Sequence, residues 1–406
     1  MTPELSWLYS TQLFGIKLGL DNVHRLLAAM DHPERGLKFI HVAGTNGKGS
    51  TCAFIHSMLK TAGLTAGLFT SPHLIRFNER ICDTERQISH DELEAGLARL
   101  REKVTGWDPH PTFFELAFVL ALDWFRQRGV EWVVLETGLG GRSDATNAIL
   151  PEVCVITRIG MDHMDQLGDT LASIAAEKAG IIKPQVPVVT GLQDPIALKV
   201  LKETAARQKA PFLHVDGPIE GVDVGLTGPH QAWNAALALE AVRELGVRLP
   251  AVRLEAALQA VRWPGRFQRM QDGNIILDGA HNNEAAMVLA GTWQQEYPRE
   301  RAAVVFAAAK DKDIVGIMEA LVPVASSWHL TTFSSARAMP TVELKAILRS
   351  LETPPPSSSI FEHAHLAEAL NHGTSSRKLV CGSLYLVGEA LAMLEQQPES
   401  FQTSLQ

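Results

Sequence analysis

The sequence predicts an α/β fold in two parts: a P-loop-type, mostly parallel sheet flanked by helices, then a smaller α/β domain. Three observations carry this reading. Short apolar runs without polar alternation recur between helical stretches. A glycine-rich turn joins the first run to the first such helix. The strand–loop–helix pattern then restarts near residue 271. Strands covered on both faces of a parallel sheet are apolar throughout, which is the pattern seen.

Taken in order, residues 39–43 form the first expected strand. A helix follows from Ser50 to about Ala62, stopped by Gly63. Residues 66–69, 130–135, 153–156 and 186–189 are further strands, the run at 130–135 being richer in β-branched residues. The second set comprises 275–277, 302–307, 328–332 and 379–381. The division falls near WPGRFQRMQDGN, where Pro264, Gly265 and Gly273 break periodicity, giving domains 1–270 and 271–406. LETPPPSSSI, residues 351–360, reads as a surface loop.

The 406-residue length exceeds one ordinary core. A net charge of -8 argues against a general nucleic-acid binder, but not against a small anionic ligand in a locally positive site. Four cysteines without a C-x-x-C pair read as reduced thiols. The N-terminal MTPELSWLYSTQLFG lacks a basic segment followed by a long apolar one, and no run reaches the length of a membrane span. The expectation is a cytoplasmic monomer with no nucleic-acid or membrane partner.

HVAGTNGKGSTCAF, residues 41–54, departs from the common G-x-x-x-x-G-K-[ST] loop. Gly49 follows Lys48, the hydroxyls come at Ser50 and Thr51, and Val42 stands where the first glycine would fall. The physics of a phosphate site is nevertheless present. Glycines 44, 47 and 49 let backbone amides turn inward, a helix N-terminus adds partial positive charge, and Lys48 adds a full one. The bland alternative is an ordinary strand-to-helix turn.

VVLETGLGGRSDATN places Glu136 at a strand's C-terminal end, where ligands bind in open α/β sheets and an acid can hold Mg²⁺. GLGG lacks the dinucleotide spacing, which excludes NAD. His163, in GMDHMDQLG, follows another strand and is a candidate second metal ligand. On spacing alone Lys178, in AAEKAGIIKP, reads as a solvated helix residue. ILDGAHNNE sets Asp278, His281 and Asn282 past a strand of the second domain. Asn234 and Arg266 lie upstream, each weak by itself.

Together the motifs resemble the folylpolyglutamate synthase and dihydrofolate synthase family, part of the Mur-ligase-like group of ATP-dependent amide-forming ligases. The resemblance rests on FGIKLGLDNV, HVAGTNGKGST, FTSPHLIRFNERI, PTFFE, LETGLGGRSDATN, DHMDQLG, EKAGIIK, WPGRF, DGAHN and CGSLYL, in family order. It implies a Mur-ligase-like first domain and a Rossmann-like C-terminal domain contacting ATP and glutamate. Asn46, Gly47, Lys48, Gly49 and Ser50 would cradle the ATP phosphates. Ser71 and Glu136 would ligate one Mg²⁺ and His163 a second, with K⁺ a further allowed cation. Lys178 matches a lysine that is carbamylated in the family, which would make it a metal ligand and reverse the solvated reading.

Asn234, Arg266 and Asp278 would contact ATP. His281 would lie close to the reacting groups, so the catalytic set becomes Lys48, Lys178 and His281. The pterin-bearing substrate would lie near Lys17, Leu18, Gly19 and Leu20, near Thr112, Phe113, Phe114 and Glu115, and near Ser143, Asp144 and Ala145. The implied reaction activates a folate or dihydropteroate carboxylate with ATP and joins it to L-glutamate.

GGRSDATN points to dihydrofolate synthase as well as folylpolyglutamate synthase activity. Lys17, where one bifunctional pattern has an acid, points the other way. Two alternatives stand beside this reading. One is a related ligase acting on a UDP-linked cell-wall precursor, for whose usual extra N-terminal domain there is no room ahead of the phosphate loop. The other is a non-catalytic nucleotide-binding switch.

Overall fold

The structure is a computed structural model describing residues 2–14, 19–373, 376–396 and 402. The first sheet contains β1 (Lys38–Ala43), β2 (Ala66–Phe69), β3 (Ile81–Cys82), β4 (Trp132–Glu136), β5 (Val153–Ile156), β6 (Val188–Thr190) and β7 (Phe212–His214), in spatial order β3-β2-β4-β1-β5-β6-β7. Neighbours run parallel except β3, which is antiparallel to β2. The second contains β8 (Gln268–Met270), β9 (Ile275–Leu277), β10 (Ala302–Phe306), β11 (Ala325–Leu330), β12 (Ile360–Glu362) and β13 (Lys378–Cys381), in order β12-β11-β10-β13-β9-β8. Only β8 is antiparallel to its neighbour. Residues 268–270, just ahead of the expected division at 271, therefore pair with the second sheet.

Side-chain alternation sorts the first sheet into two buried faces. Phe39, Val133 and Leu135 point to one side, where they meet Phe118 and Val119 of the Phe113–Gln127 helix. Ile40, Val42 and Val134 point to the other, against Phe54, Ile55 and Met58 of the Lys48–Thr61 helix and Ala235 and Ala238 of the Pro229–Glu244 helix. The Lys48–Thr61 helix starts two residues ahead of the sequence expectation, because Gly47 takes a left-handed conformation (φ 90°) and turns the chain directly into it.

All four strands that the sequence reading missed, β3, β7, β8 and β12, are sheet edges. Each has only two or three residues, and β7 and β8 contain no fully buried position. An edge strand of two or three residues is too short to leave a continuous apolar run, even where β3 and β12 bury Ile81 and Ile360. Interior boundaries also move: β4, β6 and β11 shift at both ends, to Trp132–Glu136, Val188–Thr190 and Ala325–Leu330, and β1, β10 and β13 by one residue at one end. The expected loop at 351–360 ends one residue early, because Ile360 opens β12.

Parallel pairing fixes what the sheet presents at one edge. Val42 is level with Glu136, Ala43 with Ile156 and Phe69 with Leu135. The segments after β1, β2, β4 and β5 must therefore emerge side by side. These segments carry the glycine-rich loop, Ser71, the 136–147 loop and the 157–168 loop.

Candidate functional site

The emerging loops face the second domain across a cleft of about 560 Å³. The first domain lines it with Asn46, Gly47, Lys48, Gly49, Ser50, Ser71, Glu136, His163, Lys178 and Asn234. From the C-terminal side come Arg266, Asp278 and His281. The expected nucleotide, metal and catalytic residues thus share one cavity.

The glycine-rich loop is tightly packed. A Cβ on Gly44 (φ 150°) would sit 1.8 Å from Thr157 Oγ1, and one on Gly47 would sit 2.5 Å from Asn234 Oδ1. A Cβ on Gly49 would meet Trp263 Nε1 at 2.9 Å. The Thr45 and Asn46 amides donate to the Arg158 carbonyl at 2.9 and 3.1 Å, anchoring the loop to the segment after β5. Gly47, Lys48, Gly49 and Ser50 then supply the amides that a helix start leaves without an intrahelical carbonyl. Lys48 Nζ donates to the Thr45 carbonyl at 3.3 Å, which holds the ammonium over this turn.

Glu136 is buried at the end of β4, and its Oε2 accepts the Ser71 amide at 3.1 Å. Burial raises its pKa, while Lys48 and the Ser71 hydrogen bond oppose the rise. A carboxylate with one such bond retains lone pairs for a cation. His163 caps the short Met164–Leu167 helix in a left-handed conformation (φ 51°). Although two-fifths of the side chain is exposed, partial desolvation in the cleft, with the Lys312 and Lys48 charges, lowers its pKa, favouring an uncharged ring. Carboxylate, hydroxyl and imidazole donors suit a small divalent ion such as Mg²⁺ or Mn²⁺.

Lys178 is only 5% exposed, contrary to the solvated helix position that spacing alone suggests. It is the last residue of the Leu171–Lys178 helix, and its Nζ donates to the Gly44 carbonyl at 2.9 Å. Burial and then the nearby Lys48 charge lower it to about 7.

Across the cleft, Asp278 holds a turn together. Its two oxygens accept the Phe267 and Ala280 amides, each at 2.9 Å. His281 Nδ1 lies 2.8 Å from the Gly279 carbonyl, and its Nε2 lies 3.7 Å from Asp162 of the first domain.

Asp162 is the centre of a bridge that sequence reasoning left out of the site. Lys312 Nζ donates to its Oδ1 at 2.6 Å and Asn282 Nδ2 to its Oδ2 at 3.1 Å. Burial opposes its ionisation, but His281, His163 and Lys312 together hold it well below the usual carboxylate range. Glu284 adds a second bridge, accepting from Asn46 at 3.0 Å and Arg158 at 2.6 Å. Asp162 and Glu284 lie in stretches already singled out. Lys312 had one available signal, its place in a KDKD run just after a strand.

Replacing Lys312 with methionine leaves Asp162 buried without its strongest hydrogen-bond donor. Both side chains of the pair are about a tenth exposed or less, so the expected cost is on the order of 3 kcal/mol. Thermal unfolding should show a clear fall in Tm. An unchanged Tm would show that the bridge carries no stability. Because the Asp162 pKa is depressed in the fold, its contribution is full above the ordinary carboxylate pKa, about 3.9. It is lost as pH falls below that value.

The expected pterin residues do not line this cleft. Thr112 and Glu115 form a capping box, with Glu115 Oε2 accepting the Thr112 amide at 2.7 Å. Phe113 is buried in the core, and Phe114 lies against Gly138, where an added Cβ would come within 2.6 Å of its ring. Asp144 accepts the Leu139 amide at 2.9 Å and the Thr146 amide at 3.0 Å, shaping the loop beside Ser143 and Ala145. Gly138 and Leu139 do line the cleft, so these groups form its immediate support. Gly19 and Leu20 also lie away from it, and Lys17 and Leu18 fall outside the described residues.

Known proteins share this sequence pattern and fold. Residues 42–214 match the Mur ligase middle domain, and residues 265–393 match the dihydrofolate synthetase C-terminal domain. The dihydrofolate synthase/folylpolyglutamate synthase of Bacillus subtilis is 40% identical over 366 residues, covering 82% of this chain and 85% of the relative. The Escherichia coli protein of the same name is 31% identical, with 97% and 96% covered. A Mycobacterium tuberculosis folylpolyglutamate synthase structure complexed with ADP and AMPPCP has a TM-score of 0.87 and 30% identity, covering 96% of this chain and 99% of that one. An E. coli structure in complex with DHPP and ADP has a TM-score of 0.86 and 29% identity, with 98% of each chain covered. The chain belongs to the dihydrofolate synthase/folylpolyglutamate synthase family.

Proposed function

We propose that this protein is an ATP-dependent ligase that adds L-glutamate to folates, acting both on dihydropteroate and on (tetrahydro)folate. The observation that carries this reading is the single cleft in which a helix-start phosphate loop faces an Asp278–His281 loop from the other domain. A nucleotide switch has no need of that second loop. The family's nucleotide-bound and Mn-bound structures support ATP and a divalent ion as cofactors.

A carboxylate is a poor acyl donor, so ATP first phosphorylates it, and the glutamate amine then displaces phosphate from the acyl phosphate. Gly47, Lys48, Gly49 and Ser50 point donors at the phosphates, and Lys48 offsets charge gathering on the transferring group. Glu136 and Ser71 would hold one Mg²⁺ and His163 a second. Bound there, Mg²⁺ supplies charge neutralisation between the phosphates. Asn234, Arg266 and Asp278 would position ATP from the hinge and second domain. His281, held by the Gly279 carbonyl and facing Asp162, would sit beside the reacting carboxylate.

We place the hinge within WPGRF, because β8 already pairs with the second sheet and the C-terminal family match begins at 265. Closure about it excludes water from the acyl phosphate. We also place the protein in the cytoplasm, where its four free thiols remain reduced. Among the described residues no helix is long and apolar enough to cross a membrane.

The test supplies purified enzyme with ATP, Mg²⁺ and L-glutamate, and offers dihydropteroate, tetrahydrofolate or a UDP-linked peptide precursor in separate reactions. Mass spectrometry should show products heavier by one glutamate residue with the first two acceptors only. Gain with tetrahydrofolate alone would remove the dihydrofolate synthase half. No gain with either pterin acceptor would sink the reading.

A further inference from the structure

Three histidines of the second domain meet at the β12 edge of its sheet, and none lines the cleft. His329 is fully buried in β11. His363 directly follows β12, its amide donating to the Leu330 carbonyl at 2.9 Å. His372 caps the C-terminus of the Leu366–Asn371 helix. One nitrogen from each ring lies within 4.8 Å of the others, and His329 Nδ1 is 3.1 Å from His363 Nε2. Among the described residues no carboxylate or thiol joins the group.

We propose that His329, His363 and His372 form a binding site for a zinc-class divalent transition ion, separate from the catalytic cleft. Tetrahedral zinc with Zn–N bonds of about 2.0–2.1 Å sets its nitrogens roughly 3.3–3.4 Å apart. The His329 and His363 nitrogens, hydrogen-bonded to each other at 3.1 Å, already have nearly that span, and the ion would take the place of the shared proton as the rings turn toward it. Closing the widest gap takes a shift of roughly 1.5 Å to reach the same spacing. His372 stands at a helix C-terminus with its ring packed on Phe361 and His329, so the three rings would adjust together.

The surroundings suit ligation. Ser327 Oγ lies 3.1 Å from His329 Nε2 and can take its N–H, leaving the Nδ1 lone pair on the side of His363 Nε2. A hydrogen-bond acceptor behind a ligating histidine commonly sets its tautomer in this way. Burial, with the neighbouring imidazoles, brings His329 down to about 4, so its ring is uncharged at neutral pH. Phe361 stacks on His329 at 5.0 Å and lies 4.5 Å from His372, supporting both rings.

A three-imidazole set favours Zn²⁺, Ni²⁺ or Cu²⁺ over Mg²⁺, which prefers oxygen. The ion would staple the edge strand and the turn at His372 to the buried β11, leaving a fourth position for water or a small anion.

The experiment uses the full-length protein stripped with chelator and titrated with Zn²⁺ in excess Mg²⁺. Bound zinc is counted by mass spectrometry of the metal after gel filtration, and Tm is followed in parallel. His363→Gln and His372→Gln should each bind one zinc fewer than the unaltered protein and lose the zinc-dependent rise in Tm. Ser327→Ala should keep the site but bind about 10- to 100-fold more weakly. Should His363→Gln fold poorly, His372→Gln and Ser327→Ala still decide the matter, since neither alters a buried ring. Unchanged zinc number and affinity in His372→Gln would overturn the proposal, as the metal would then sit elsewhere, for example on His163 and His281. Failure of the unaltered protein to retain zinc would overturn it too.

Discussion

Lys48→Ala is expected to lower kcat/KM for ATP about 10³-fold, close to 4 kcal/mol of transition-state stabilisation. The side chain is the full positive charge nearest the helix-start amides, and the Thr45 carbonyl holds it there. Its field already reaches Glu136 and Lys178, opposing the rise that burial causes at the first and adding to the fall at the second. Lys48 is half-buried, and its attraction for buried Glu136 is offset by its repulsion of buried Lys178, so its removal should move Tm little. Lys48→Arg should recover little of the rate. The loop is closed in by Asn234 against Gly47 and Trp263 against Gly49, leaving no slack for a wider guanidinium fork. Steady-state kinetics at saturating glutamate, paired with a thermal melt, checks both statements. Full activity in Lys48→Ala would refute the phosphate-loop assignment.

The interior of each sheet could be read from the sequence because burial on both faces leaves an apolar run. β2, β5 and β9 fall where expected. The edges could not, since Phe212–His214 and Gln268–Met270 are partly solvated and need no such run. The cleft follows the same logic. Glu136 and Asp278 stand just at or past strand ends, so a pattern of strand followed by acid located them. Lys178 occupies an ordinary helical position in a local reading, and only the Gly44 carbonyl, 134 residues earlier in the chain, reveals its burial. The Asp162–Lys312 contact joins positions 150 residues apart, and the histidine trio comes from three separate elements. No local spacing records such meetings. T-x-x-E at Thr112 and Glu115 carries a capping signature of its own, and a cap is the role the structure gives it.

Lys178 leads to the second large effect. A lysine in water is almost wholly ammonium at neutral pH, whereas this one, brought down to about 7 by burial and then by the Lys48 charge, gives up its proton far more readily there. A free amine attacks CO₂, forming an N–C bond and releasing a proton, and the cation becomes an anionic carbamate. That reversal would place a carboxylate-like group beside the Gly44 carbonyl, in the cleft that His163 also lines, as an oxygen ligand for the second proposed divalent ion. The expected signs are definite. Carbamate should build up as pH rises through about 7 and disappear on acidification, visible as a ¹³C-bicarbonate signal that Lys178→Gln lacks. Lys178→Gln should lose activity at least about 10²-fold. Degassed enzyme at mildly alkaline pH should lose rate and recover it with bicarbonate, a response that a lysine merely bonded to Gly44 cannot give. Stability moves in the same direction. Between about 7 in the fold and the ordinary lysine value near 10.4, the unfolded chain binds a proton that the folded one does not, so the Lys178 contribution improves as pH rises across that window. Full activity in Lys178→Gln, or a rate indifferent to bicarbonate, would leave Lys178 as a buried hydrogen-bond donor to the phosphate loop and nothing more.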